Sequence, residues 1–156
     1  MAKWEGKAST KITKATADKI WPCFVDFFNI HKYYPSMSIC YGIHGVNGEV
    51  GCIRYCSGFS FRNDADSDWV KSRLVALDPN EMTLKYEILE CSFGFKSHLG
   101  TYKIIPSGVE GCTIEWSFTV DPVEGITCQN VVDKYQDILD HMTKKMEDSM
   151  DEKNDL

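Results

Sequence analysis

A chain of 156 residues, 43 % apolar and 26 % charged, has length and hydrophobic content for one core and too little for two ordinary domains. One domain over residues 1–156 is therefore expected. The formal net charge of -6 excludes a general binder of nucleic-acid backbones, which would carry a basic patch to displace counterions. No stretch is apolar over the length a bilayer requires, and Met1-Ala2-Lys3-Trp4-Glu5 opens no apolar run with a cleavage site. The expectation is a cytoplasmic protein without stable membrane insertion and without nucleic acid as a partner.

Along the chain, Lys3 to Thr13 alternates, with Trp4, Gly6, Ala8, Thr10 and Ile12 on one face and Lys3, Glu5, Lys7, Ser9 and Lys11 on the other. Period two predicts a strand with one wet face. Thr16-Ala17-Asp18 reads as a helix start, followed by Ile20, Trp21, Phe24, Val25 and Phe28 at helical spacing. Asn29 to Tyr34 predicts a second short helix stopped by Pro35. Six strands follow, over 38–44, 50–57, 68–77, 83–91, 95–105 and 112–120, separated by Gly-, Asn- and Pro-containing turns at antiparallel spacing. From about Thr127 to Met150 the chain reads as a helix whose apolar stripe is Val131, Tyr135, Ile138, Leu139, Met142 and Met146. The acidic tail from Asp148 to Leu156 is expected to fray.

The seven cysteines are odd in number and lack an export signal, which predicts reduced thiols serving as small core residues. Cys52 and Cys56 form no zinc pattern, because no second pair or neighbouring histidine accompanies them. No metal or cofactor is expected. His31, His44 and His141 fall in segments predicted to lie at the surface.

A curved antiparallel sheet across one long helix leaves a concavity suited to a ligand. Alternation sets Arg54 on one strand face with Val50, Cys52 and Cys56, where a guanidinium must find an acceptor. It could hold an internal ion pair, reach water at a mouth, or anchor a ligand oxygen. Ser72 shares its face with Val70, Leu74 and Ala76, and no nucleophile motif surrounds it. His98 alternates with Gly100, Tyr102 and Ile104, which makes it a wall residue or a proton carrier. Phe59 and Phe61 fall in a loop freed by Gly58, either capping a pocket or packing beneath the loop. Tyr135, Ile138 and Met142 would touch a ligand wherever their stripe spans the concavity.

Particular residues sharpen the fold. The runs Phe28-Asn29-Ile30-His31-Lys32, Pro35-Ser36-Met37-Ser38-Ile39-Cys40, Val50-Gly51-Cys52-Ile53-Arg54-Tyr55, Leu74-Val75-Ala76-Leu77-Asp78 and Trp116-Ser117-Phe118 resemble the plant lachrymatory factor synthases. The similarity extends from about Trp4 to Glu147. It implies membership of the START/Bet v 1 superfamily and an α+β helix-grip fold. That fold is a curved seven-stranded antiparallel sheet wrapped around a long C-terminal helix, with two short helices after strand 1. A more distant resemblance to the abscisic acid receptors runs through Ser57-Gly58-Phe59 and Leu74 to Asp78.

The synthases convert an unsaturated sulfenic acid to a thial S-oxide by moving a proton, with an arginine and a glutamate in the pocket. The resemblance places that arginine at Arg54, a pocket tyrosine at Tyr86 and a pocket tryptophan at Trp116. The glutamate position carries Ser72, another tyrosine position His98, and a helix tryptophan position Ile138. The receptors' gate, latch and hormone-binding lysine fall on Ser57 to Phe61, on Phe93-Gly94-Phe95 and on Tyr34, so hormone sensing is not expected. With the carboxylate replaced, the primary expectation is binding or carriage of a small apolar or amphipathic metabolite. The ligand-binding set would be Arg54, Phe59, Phe61, Ser72, Tyr86, His98, Trp116, Tyr135, Ile138 and Met142. The alternative is a synthase-like isomerase or cyclase with Arg54 and His98 as catalytic candidates, and a module acting only through a protein partner comes third.

Overall fold

The computed structural model describes residues 2–62 and 67–154. Strand β1 (Trp4–Ile12) buries Ala8 and Ile12 while Glu5, Lys7, Ser9 and Lys11 stay exposed, as its alternation requires. Helix α1 (Ala17–Val25) buries Ile20, Cys23 and Phe24. The second short helix is a 3-10 segment, Phe27–Lys32, that begins two residues before the expected start. Asp26 sets it there. Its carboxylate accepts the side-chain amides of Asn29 and Asn47, each at 2.7 Å, and so turns the chain directly after α1.

Six strands follow: β2 (Ile39–His44), β3 (Ile53–Phe59), β4 (Asp68–Asp78), β5 (Thr83–Cys91), β6 (Leu99–Ser107) and β7 (Gly111–Val120). All pairings are antiparallel, in the order β1-β7-β6-β5-β4-β3-β2, which leaves β1 and β2 at the edges. Two strands depart from the sequence expectation. β3 starts at Ile53 and not at Val50, because Glu49 N–H donates to Val46 C=O and Cys52 N–H to Glu49 C=O, closing a turn that leaves Val50 exposed. Val50 therefore does not share the buried face of Cys52, Arg54 and Cys56. β3 also continues past Gly58 to Phe59, so Phe59 ends a strand instead of sitting in a loop. Gly58 has φ +99° and a side chain there would collide with Ser38, so only glycine fits this kink. β6 starts at Leu99, since Gly94 (φ +83°) and Ser97 (φ +54°) turn the backbone between Phe95 and His98.

Helix α2 (Cys128–Asn154) is capped reciprocally at Thr127. Asn130 N–H donates to the Thr127 hydroxyl at 3.1 Å, and Thr127 N–H donates to the Asn130 side-chain oxygen at 2.9 Å. The stripe Val131, Tyr135, Ile138, Leu139, Met142, Met146 is buried throughout. Each such side chain taken fully from water contributes about 1.5–3 kcal/mol. The helix continues past Asp148, where the acidic tail begins, to Asn154. No Gly or Pro interrupts it, and Met150 still packs against the core beyond Met146. Asp155 and Leu156 lie outside the described residues. Gln136 reaches the edge of β1, accepting Ser9 N–H at 3.1 Å and donating to Ser9 C=O at 2.8 Å, which ties α2 to a strand edge that would otherwise be unpaired.

Among the described residues no helix is long and apolar enough to cross a membrane. All seven cysteines are unbridged, with Cys23, Cys52, Cys56 and Cys112 buried and Cys40, Cys91 and Cys128 half-buried.

Candidate functional site

The inner face of the sheet, the 3-10 segment with the chain after it, and Tyr135 of α2 surround a cavity with a void of about 50 Å³. That exceeds what one water needs but is far below the roughly 300–1,000 Å³ of pockets for drug-sized ligands. Its wall has a polar part and an aromatic part. The polar part comes from the alternation of β3 and β4, which turns Arg54, Cys56, Val70 and Ser72 inward. Arg54 and Ser72 are direct cross-strand partners.

Arg54 is only 7 % exposed. Its Nη1 donates to the Phe27 carbonyl at 2.9 Å, and its guanidinium lies 3.8 Å from the Phe27 ring centre and 5.7 Å from that of Tyr86. Its Nε is buried without an acceptor. No ion pair forms with it among the described residues, so of the three fates open to this arginine the internal carboxylate pair is not the one realised.

The aromatic part is a continuous stack. Trp116 lies 4.0 Å from Tyr135 and 5.0 Å from Tyr102, ring centre to ring centre, and its indole N–H donates to the Tyr86 hydroxyl at 2.9 Å. Gly100, opposite Tyr86 in the β5–β6 ladder, makes room for that ring, because any Cβ at this position would overlap it. Burial pushes the Tyr86 phenol up to about 12, against the opposing effects of the Trp116 N–H and the Arg54 cation. Burial likewise raises Tyr34, Tyr102 and Tyr135. These phenols are neutral hydrogen-bonding groups at any physiological pH.

Phe59, Phe61 and Phe93 line one side of the cavity as a buried cluster, with Phe95 packed against Phe61 and Phe93. Phe61 stacks on Phe93 at 5.0 Å and meets Phe95 at 4.9 Å and Tyr135 at 6.0 Å edge-on, while Phe59 meets Tyr34 and Phe93 edge-on. Both Phe59 and Phe61 are buried. The Asp68 carboxylate holds this cluster, accepting Phe61 N–H at 2.7 Å and the Ser92 hydroxyl at 2.8 Å.

Of the residues singled out in the sequence, Arg54, Phe59, Phe61, Ser72, Tyr86, Trp116 and Tyr135 line the cavity. His98, Ile138 and Met142 are buried but do not line it. His98 precedes β6 with its ring parallel to Phe95 and Phe118, and its Nε2 lies 2.6 Å from the Tyr135 hydroxyl. Burial pushes its pKa down to about 3, so its imidazole is neutral and a weak base at neutral pH. The lining also includes Ile30, Tyr34, Met37, Cys56, Val70, Ile88, Phe93 and Tyr102. Cys56, Val70 and Tyr102 share strand faces with Arg54, Ser72 and Gly100, so alternation could have found them. Tyr34, Met37 and Phe93 sit in connections, where no periodicity marks an inward side chain.

The arrangement sets a single buried guanidinium, Arg54, against an apolar wall of aromatic rings. Among the described residues, no carboxylate lines the cavity, and no cluster of His, Cys, Asp or Glu could hold a metal.

A seven-stranded antiparallel sheet curved over a long C-terminal helix and an internal cavity defines a Bet v 1-like helix-grip protein. Residues 3–147 match the family described as polyketide cyclase / dehydrase and lipid transport, and the chain belongs to that family. Similar solved structures include major latex-like protein 151 of Panax ginseng, at TM-score 0.75 and 19 % identity, covering 94 % of this chain and 97 % of that one. XoxI of Bacillus cereus is similar at TM-score 0.71 and 19 % identity, covering 96 % of this chain and 95 % of that one. A protein of Bacillus thuringiensis follows at TM-score 0.70 and 16 % identity, covering 93 % and 97 %. The fold is thus shared by plant and bacterial proteins, and at these identities the likeness is one of fold.

Proposed function

We propose that this protein binds a small amphipathic molecule, with an anionic or carbonyl oxygen on Arg54 and an apolar body against Phe61, Phe93, Tyr102, Trp116 and Tyr135. The observation that carries this reading is the unpaired Arg54: a permanent cation, 7 % exposed, with one backbone acceptor and a buried Nε that has none. Burying such a charge costs several kcal/mol unless it is compensated, and a ligand oxygen supplies what the protein does not. The family's description, which joins cyclase and lipid-transport proteins, supports a ligand-holding interior. The resting void takes only a few heavy atoms, so a larger occupant enters by displacing Phe61 and Phe93.

The isomerase reading has less support. The position that would supply a carboxylate is Ser72, and His98 is both weakly basic and engaged with Tyr135.

The test compares a medium-chain fatty acid with its primary alcohol in displacement of a fluorescent apolar probe, for wild type and Arg54→Met. The acid should lose about tenfold to a hundredfold in affinity in the variant, the worth of a charged hydrogen bond. The alcohol should change much less. Equal losses for both ligands, or no loss for either, would show that Arg54 does not hold the polar end.

A further inference from the structure

Seven thiols lie in this chain, and two of them differ from the rest in their surroundings. Cys23, Cys91, Cys112 and Cys128 each donate to a backbone carbonyl, at 3.5–4.0 Å, and Cys52 is hydrogen-bonded to the backbone of Gly48 and Glu49. Cys40 and Cys56 instead face each other, with Cys56 Sγ donating to Cys40 Sγ at 3.0 Å. They are direct partners in the β2–β3 ladder. Opposed residues of an antiparallel pair have Cα atoms about 4.5–5.5 Å apart, inside the range of about 4.4–6.8 Å that disulfides span. The two strands therefore need no rearrangement to be bridged.

We propose that Cys40 and Cys56 are a redox-active pair, oxidised by a peroxide to a disulfide that closes the β2–β3 edge beside the cavity. The roles differ by exposure. Cys40, on the edge strand, is the more exposed of the two at half-buried, whereas Cys56 is buried and lines the cavity two residues from Arg54. The Cys56 thiol, and then Arg54 and His31, lower the pKa of Cys40, which favours the thiolate that attacks. Hydrogen bonding to Cys40 and burial raise that of Cys56, which keeps its proton until a sulfenic acid is beside it.

The chemistry balances without further reactants. The Cys40 thiolate attacks one peroxide oxygen, an S–O bond forms as the O–O bond breaks, and hydroxide leaves to become water. The Cys56 sulfur then attacks Cys40 Sγ, the S–O bond breaks, and the Cys56 proton leaves with that hydroxide as a second water. Two thiols and one hydrogen peroxide become one disulfide and two waters. The step does not depend on whether the cavity holds a ligand.

The test treats the full chain with a small excess of hydrogen peroxide, quenches with an alkylating agent, and follows intact mass and peptide maps over time. The expected result is loss of two alkylatable thiols with a Cys40–Cys56 cross-linked peptide, at least about tenfold faster than oxidation of any other cysteine. In Cys56→Ser the reaction should stop at a Cys40 sulfenic acid trapped by dimedone, and in Cys40→Ser no disulfide should form. Seven thiols still alkylated after peroxide, another cysteine reacting first, or Cys40 passing to sulfinic acid while Cys56 stays free would each overturn the proposal. The wild-type map alone decides this, whatever the variants do to folding.

Discussion

Acid should destabilise this protein through His98 as the pH falls below about 6.5. The ring is 2 % exposed, lies among Phe95, Phe118, Tyr86 and Tyr135, and has one partner, the Tyr135 hydroxyl, with Nδ1 buried and unpaired. Protonation would place a cation with an unpaired N–H among aromatic rings. Burial accordingly lowers its pKa to about 3, whereas an unfolded histidine titrates near about 6.5. Between those values the unfolded chain binds the extra proton, so stability rises with pH in that window and is lost as pH falls from about 6.5 toward 3. Linkage over this shift gives a loss of about 2 kcal/mol between about pH 8 and pH 5, and a slope of about 1.4 kcal/mol per pH unit below that. Carboxylates such as Asp26, whose pKa stays low because the Asn29 and Asn47 amides outweigh burial, lose their contribution only at lower pH. Urea unfolding at pH 8, 7, 6 and 5 measures the effect in wild type and in His98→Gln, which keeps a partner for Tyr135 and does not titrate. The variant should lack the about 2 kcal/mol decline, and subtraction removes the other three histidines. Parallel curves for the two proteins would refute the argument, because His98 would then take up its proton as readily folded as unfolded.

Two further outcomes are expected. Asp68→Ala removes the carboxylate that accepts from Phe61 N–H and the Ser92 hydroxyl, so stability should fall by about 1–3 kcal/mol and stopped-flow entry of an apolar probe should accelerate; an unchanged entry rate would mean that Phe61 does not control access. Ser72→Glu sets a carboxylate directly across the ladder from Arg54, so fatty-acid affinity should drop at least about tenfold while sulfenic acid isomerisation rises above the wild-type background by up to about 10²-fold; no change in either assay would show that residue 72 does not communicate with Arg54.

The fold was legible because its elements have strong periods. The alternation of β1 and β7 and the stripe from Val131 to Met146 each encode a buried face directly, and β5 spans Thr83–Cys91 as its pattern predicts. Errors gathered where hydrogen bonds and not periodicity set the boundary: the turn at Glu49 to Cys52 that exposes Val50, and the reversals at Gly94 and Ser97 that delay β6. The site was legible to the same extent. Arg54 and Ser72 stand out by alternation, but the acceptor of Arg54 is a carbonyl of the 3-10 segment, and no side-chain pattern announces a backbone partner. The phenylalanine cluster is harder still to read, since Phe93 reaches the cavity from a connection and Asp68 holds Phe61 through its backbone N–H.

The two parts of the wall differ in what they demand of an occupant. Arg54, Ser72, Tyr86 and Trp116 are carried on paired strands, and the indole N–H of Trp116 fixes the Tyr86 hydroxyl, so on the reading proposed above this surface is the fixed part of the site. Phe61 follows β3 and Phe93 lies between β5 and β6, so neither is held by a strand ladder. Displacing Phe61 sacrifices its contacts with Phe93, Phe95 and Tyr135, each worth about 0.5–1.5 kcal/mol beyond simple burial. A bare anion of a few atoms gains Arg54 but replaces none of those contacts, so on the reading proposed above it leaves Phe61 in place. A ligand with an apolar body refills the space that Phe61 vacates while its oxygen reaches the guanidinium. Selection for amphipathic molecules then follows from the coupling of the two parts: the charge alone is too small a reward for opening, and the apolar body alone leaves Arg54 unpaired.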